Sequence, residues 1–315
     1  MTSDNKYYDI IGDIHGCNLT LIALLEKLGY SIVDGIYQHP TRNVIFLGDF
    51  IDRNSGQREV IAIVRPMIES GTALSVMGNH EFNAIAYATF NSDKNDFLRK
   101  HDDKNFVQHE AFLDVYENDP DEWKSVIDWF KTLPLWLELD GLNIIHACWD
   151  KAWMNKIMEQ YSNNSLTDEL LINASTKGRW EFDAVETLLK GKEIPLQDGH
   201  SFNDKDGHPR HHIRIKWWDS SATTYKQAFM GPATALTHIP DDDIVGDHLI
   251  EYGHRLPPVF LGHYWMEGEL KLMAPNIACV DYSVAKPNGQ LAAYCWQGEQ
   301  LLNIENFVTV DRIEA

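Results

Sequence analysis

Three short clusters carry residue types that bind hard divalent cations: Asp13 and His15 in Gly12-Asp13-Ile14-His15-Gly16, Asp49 and Asp52 in Gly48-Asp49-Phe50-Ile51-Asp52-Arg53, and Asn79, His80 and Glu81 in Gly78-Asn79-His80-Glu81. Such cations take oxygen and imidazole ligands, and two of them side by side need a shared anionic oxygen to offset their repulsion. Asp13 and His15 suit one cation, Asp49 suits the shared position, and Asn79 with the later His146 and His263 suits the second. Alone, an Asp-x-His after a strand is a polar strand terminus, and a lone histidine is a satisfied core residue. The ordered recurrence of all of them favours ligation. Arg53, beside Asp52, offers the planar fork that pairs bidentately with phosphate oxygens.

Each cluster follows an apolar, β-branched run, so each is expected where a buried strand ends and a loop begins, the usual ligand position in α/β folds. Residues 7–11 read as a strand, followed by a helix capped by Asn18, with Leu21, Leu24, Leu25 and Leu28 on one face and Gly29 as its stop. The same unit recurs as the strand 44–47 with a helix presenting Val60, Ile61, Val64 and Ile68, and again as the strand 73–77 with a helix from Glu81. Consecutive β-loop-α units imply right-handed crossovers and a largely parallel sheet. The polar stretch 91–105 reads as a solvated loop without chemistry, with helices expected at 107–117 and 123–130. Leu135 to Leu139, Asp140-Gly141 and Leu142 to His146 read as a hairpin with a type I′ turn, which delivers His146 to a strand end. Strands are expected again at 258–263, 277–284 and 291–296, and 150–255 reads as a cap or insertion within one domain spanning 1–315.

The chain has 315 residues, 44% of them hydrophobic, enough for a sizeable core. Its formal net charge of −20 excludes broad, sequence-independent binding to nucleic acid or to an anionic membrane, so any phosphate must be bound locally by metal or arginine. The cysteines Cys17, Cys148, Cys279 and Cys295 have no CxxC spacing and the first residues no apolar signal core, which points to the cytoplasm. No apolar run approaches the roughly 18 residues of a membrane span.

The motifs GDIHG, GDFIDR and GNHE, with His146 in Ile145-His146-Ala147 and His263 in Gly262-His263, resemble those of the calcineurin-like metallophosphoesterases, in the branch of phosphoprotein phosphatases and bacterial symmetrical dinucleoside tetraphosphatases. The match is tight over residues 7–82 and then limited to the two histidines and the closing strands. The resemblance implies that Asp13, His15 and Asp49 bind one metal and Asp49, Asn79, His146 and His263 the other, with a metal-bridging hydroxide attacking phosphorus in line. It also implies His80 as the general acid, Asp52 as the group that orients it, and Asn79 and Arg53 at the substrate phosphate. Together with the pattern it implies an α/β fold: a four-layer αββα sandwich of two mixed sheets flanked by helices, with a largely helical cap. Two chain features depart from the common pattern. Asn54 stands where Gly usually follows Asp-Arg, and tolerates left-handed geometry less well. His146-Ala147 is closer to bacterial than to eukaryotic relatives.

The expected activity is hydrolysis of phosphate monoesters, on phosphoprotein or small molecules, by two divalent cations, Mn²⁺ first with Fe or Zn²⁺ as rivals. The alternatives are a symmetrical bis(5'-nucleosyl)-tetraphosphatase, giving ADP from Ap4A, and an inactive metal-binding module of the same fold. Substrate can be a phosphorylated protein, nucleotide or small molecule. In the insertion, Arg214 and Arg179 are rival candidates for a second phosphate contact. His208, His211 and His212, beside Arg210 and Lys216, read as a solvated basic loop before they read as a metal site. Of Trp217 and Trp218 one is core and the other could stack a base. Asp241 to Asp243 reads as an exposed turn, and Cys148 as a small buried residue.

Overall fold

A computed structural model describes residues 7–314 apart from 198–199, 204–208, 232, 247–249 and 251. Tyr7–Ile11 (β1), Arg42–Phe46 (β2) and Ala73–Ser75 (β3) pair in parallel, Ile11 against Phe46 and Phe46 against Ser75. The crossovers between them run through Asn18–Lys27 (α1) and Gln57–Glu69 (α2), whose apolar faces Leu21, Leu24, Leu25 and Val60, Ile61, Val64, Met67 are buried. Helix Asn79–Ala88 (α3) follows β3, and Asp103–Tyr116 (α4) and Pro120–Phe130 (α5) follow it.

The hairpin Trp136–Leu139 (β4) and Leu142–Ile145 (β5) pairs antiparallel, and Val259–Leu261 (β6) and Ile277–Cys279 (β7) continue it in parallel, giving a second sheet in the order β7-β6-β5-β4. The chain then crosses to the first sheet through Asp281–Tyr282 (β8), Gln290–Trp296 (β9) and Phe307–Asp311 (β10), with β9 antiparallel to β1. Both sheets are mixed. Their facing sides meet in one apolar core, where the rings of Phe260 and Tyr294 lie 4.8 Å apart. β5 is buried along its whole length, as a strand covered on both faces must be.

The segment after His146 begins with helices Lys151–Tyr161 (α6), Asp168–Ala174 (α7) and Trp180–Lys190 (α8), which pack into the main core. From Glu193 on, short strand pairs and brief helical turns such as Tyr225–Ala228 replace the longer helices, and Ile194, Ile213, Ile215, Tyr225 and Phe229 build a separate small core. The described residues include no helix long and apolar enough to cross a membrane.

Local chemistry corrects several expectations. Cys17, not Asn18, is the N-cap of α1, and no side chain caps that end. In the Asp140-Gly141 turn only Gly141 has positive φ, so the turn is not type I′, which needs it at both residues. Asp34 and Gly35, with φ of 52° and 82°, join an unexpected hairpin, Ser31–Val33 with Ile36–Gln38.

Candidate metal centre and catalytic site

The strand ends Gly12, Gly48 and Gly78, with those after β5 and β6, open onto one edge of the paired sheets, and the candidate ligands gather there. His15 Nδ1 lies 2.9 Å from the Ile51 carbonyl, and His146 Nδ1 lies 2.7 Å from the Leu47 carbonyl. A carbonyl only accepts, so each Nδ1 is the donor and, in a neutral ring, each Nε2 presents a lone pair. The His146 lone pair faces Asn79 Oδ1 at 3.2 Å and Asp49 Oδ2 at 3.4 Å; that of His15 faces Asp49 Oδ2 at 3.7 Å without a hydrogen bond. His263 brings Nδ1 to 2.8 Å from Asn79 Oδ1 and leaves buried Nε2 unpartnered. Lone pairs and anionic oxygens turned on one another in a buried site call for positive charge, from a bound cation or from a proton on His146, whose pKa Asp49 raises against burial. Ligand atoms of Asp49, His146 and His263 lie within 4.8 Å of one another, as do those of His15, Asp49 and His80. Donor set and geometry therefore fit divalent cations on either side of Asp49. Burial pushes the Asp49 carboxyl up, but His146 and His80 outweigh it and hold the group well below the usual carboxylate range. Burial, then the charge of His80, brings His15 down to about 4, which keeps it neutral and able to ligate.

Asp13 is buried at the same edge but turned towards the Gly262-His263 turn, where its oxygens accept the His263 amide at 3.1 and 3.3 Å. The approach is so close that a Cβ on Gly262 would sit 2.1 Å from Asp13 Oδ1, and one on Gly78 2.2 Å from Asp49 Oδ1. Glu81, quoted in the GNHE motif but given no role by it, is the organiser of two loops. Its carboxylate accepts the amides of Asp49 (2.8 Å), Phe50 (2.8 Å) and Gly78 (3.0 Å) and is fully buried. Of eleven non-glycine residues with positive φ among the described residues, His15, Asp49, Asp52, Arg53 and His263 are five, so backbone strain concentrates at this site. Asn54 is not among them. The left-handed geometry expected there falls on Asp52 (67°) and Arg53 (74°), while Asn54 Nδ2 donates to the His15 carbonyl at 2.9 Å.

His80 Nδ1 donates to Asp52 Oδ2 in a short hydrogen bond, and His80 Nε2 lies 3.9 Å from Asp49 Oδ2. Burial opposes protonation of His80, yet Asp49 and Asp52 outweigh it and raise its pKa, which favours the charged ring. A residue missed in the sequence completes the pair: His109 of α4 donates from Nδ1 to Asp52 Oδ1 at 2.9 Å. Burial alone would raise Asp52; His80 and His109 together hold it below the usual range. His109 is clamped by Phe112 and Tyr87, with ring centroids at 5.0 and 5.2 Å. Arg53 is exposed at the rim, over the ring of Trp265.

Arg214 lies near His263, whose pKa is driven down by burial and then by the guanidinium charge. Arg179 is not brought to the centre. It is exposed at the N-terminus of α8, while the opposite end of that helix receives the amides of Ala147 and Cys148 on Leu188, about 13 Å along an axis rising 1.5 Å per residue. Trp217 is core and its Nε1 donates to the Ala147 carbonyl at 3.1 Å; Trp218 is half-buried against Tyr264. His211 and His212 are exposed and belong to neither metal-capable group among the described residues, and His208 lies outside those residues. Asp241 accepts Thr224 Oγ1 at 2.8 Å, as in a turn tied to its neighbour. Burial pushes the Cys148 thiol well up, away from nucleophile chemistry.

The profile of the calcineurin-like phosphoesterases matches residues 8–265. The asymmetrical bis(5'-nucleosyl)-tetraphosphatase PrpE of Oceanobacillus iheyensis is 35% identical over 140 residues, which covers 44% of this chain and 54% of that protein. Its namesake in Bacillus subtilis is 38% identical over 150 residues, 44% of this chain and 57% of that one. The chain thus spans about half the length of the curated relatives it matches. A cold-active protein tyrosine phosphatase of known structure superposes over 96% of this chain and 78% of its own, with 15% identity and a TM-score of 0.51, a likeness of fold.

Proposed function

This chain belongs to the calcineurin-like phosphoesterases, and we infer that it hydrolyses the phosphoanhydride chain of a dinucleoside tetraphosphate, cut off-centre as the names of its curated relatives say of them. Phosphoric ester hydrolysis follows from the family; the substrate rests on those relatives. Their names favour a tetraphosphatase over the phosphomonoesterase expected from the residues alone, with the asymmetrical rather than the symmetrical cut. The single observation that carries the chemistry is the convergence of His15, His146 and Asn79 on the buried carboxylate of Asp49.

Asp13, His15 and Asp49 would hold one divalent cation, and Asp49, Asn79, His146 and His263 the other, with Mn²⁺ our choice over Fe and Zn²⁺. When bound, the pair supplies Lewis-acid chemistry to the phosphate and to the attacking water. His80 donates its Nε2 proton to the departing oxygen, while Asp52 holds Nδ1–H and so fixes tautomer and ring orientation. Arg53 binds oxygens of the phosphate, and Arg214, on the His263 side, is the second phosphate contact. A departing phosphate oxygen is less basic than an alkoxide, so a chain of anhydrides asks less of His80 than an alkyl ester does. Four free cysteines fit a reducing cytoplasm.

The test is product analysis. Purified protein with Mn²⁺ and diadenosine tetraphosphate should yield ATP and AMP. ADP as sole product would restore the symmetrical cut, and phosphate release from p-nitrophenyl phosphate without any cleavage of the tetraphosphate would return the protein to the monoesterases.

A further inference from the structure

Trp265 gathers two cations beside a candidate metal ligand. Its ring stacks on His15 with centroids 5.3 Å apart, the Arg53 guanidinium carbon is 5.5 Å from its centroid, and Lys286 Nζ is 5.0 Å away. The ring quadrupole offsets part of the repulsion between the two charges, and Glu267, 2.6 Å from Lys286, offsets more. The shelf is held rigidly. Buried Asp281 accepts the Trp265 amide at 2.6 Å and the Ser283 amide at 2.9 Å, and Ser283 Oγ donates to the Met266 carbonyl at 3.0 Å. Trp265 and Ser283 both keep positive φ, 50° and 58°, a cost that a loop left to itself would relax. A cavity of about 270 Å³ lies directly beyond, lined by Met266, Glu267, Ser283, Lys286 and Pro287 among others.

The cleaved phosphate must sit beside His15. A polyphosphate chain continuing across Trp265 then meets Arg53 first and Lys286 next, before the cavity. Lys suits that second position, because a flexible point charge matches a phosphate whose orientation is not fixed by chemistry. A monoester ends at the first phosphate and gains nothing from Lys286. We propose that Lys286, on the shelf it shares with Arg53 and Trp265, is a specificity subsite for the phosphate next to the one cleaved, so that the enzyme selects phosphoanhydride chains over phosphomonoesters. The proposal rests on the tetraphosphatase reading.

Lys286→Met keeps the aliphatic stem on the indole and removes the charge. With free Mn²⁺ buffered, KM for diadenosine tetraphosphate should rise about tenfold, the scale of one charge-assisted contact. KM and kcat for p-nitrophenyl phosphate should stay within about twofold, on the same scale. Equal changes on both substrates, or none on either, overturn the subsite. Should the wild-type protein leave the tetraphosphate intact, the tetraphosphatase reading fails, and the subsite is judged by competition against p-nitrophenyl phosphate. Tripolyphosphate should then inhibit wild type about tenfold more tightly than Lys286→Met, with orthophosphate equal on both. Equal inhibition by tripolyphosphate overturns it.

Discussion

Replacing His109 by Phe separates the positioning of the acid from everything else in the site. The ring volume and its packing against Phe112 and Tyr87 persist, and only the Nδ1–H that binds Asp52 at 2.9 Å is lost. A hydrogen bond to a charged group contributes roughly 1.5–3 kcal/mol, and about 1.4 kcal/mol is tenfold in rate, so kcat should fall about 10- to 100-fold if the whole bond serves to aim the His80–Asp52 pair. The loss should depend on the leaving group. An alkyl phosphate, whose alkoxide needs a proton, should show all of it; p-nitrophenyl phosphate, whose phenolate leaves unaided, should show little. Asp52, with one donor fewer, binds the His80 proton more strongly, so the alkaline limb of the kcat profile should move up. His109→Gln, which can restore a donor, should recover part of the rate. Full activity of His109→Phe on an alkyl phosphate with an unmoved alkaline limb would refute the reasoning, and an equal fall on both substrates would assign His109 to the fold instead.

Glu81→Gln points an amide N–H₂ at one of three buried backbone donors, a cost of about 2–3 kcal/mol, so Tm should drop by roughly 3–5 °C in a thermal melt; an unchanged Tm contradicts the organising role. Asp49→Asn removes the anion between the histidines and should cut activity on the order of a hundredfold or more while Mn²⁺ affinity falls in parallel; tight binding of two ions by that variant would count against the shared position. His15 is depressed from 6.5 to about 4 by burial and by His80, so the fold favours its neutral form. That stability is complete above pH 6.5 and is lost as pH falls towards 4. Chelator-treated wild type should therefore lose about 2–3 kcal/mol more than His15→Asn between pH 7 and 4 in urea titrations, and equal losses would remove His15 from the pH response.

The sequence carried the strand-end clusters plainly, because a ligand at a strand terminus sits in a fixed relation to an apolar run. Asp13, His15, Asp49, Asn79 and His80 are all placed by that relation. His109 was hidden for the opposite reason: it joins Asp52 across 57 residues and lies on a helix that begins inside a stretch with solvated composition. Glu81 stood in view within GNHE, but its three amides come from two loops, and no linear pattern says where backbone donors converge. Asp281 is similar, since its partners Trp265 and Ser283 meet it only once β6 and β8 are placed. Arg214, alternating with Lys216 as in a strand, and Arg179, in Gly178-Arg179-Trp180, are equal rivals in sequence; in the structure Arg214 lies near His263, and Arg179 is exposed at the N-terminus of α8. The Asp34-Gly35 turn is legible in sequence, but its strands are short, Ser31–Val33 exposed and Ile36–Gln38 half-buried, with little hydrophobic alternation to mark them.

The central claim is that two divalent ions share Asp49. Crystals of the full chain grown with Mn²⁺ should give, at the manganese absorption edge, two anomalous peaks about 3.5–4 Å apart, one beside His15 and one beside His146 and His263. A map with no peak between these side chains, or a single one that leaves His15 or His146 without an ion, would contradict it.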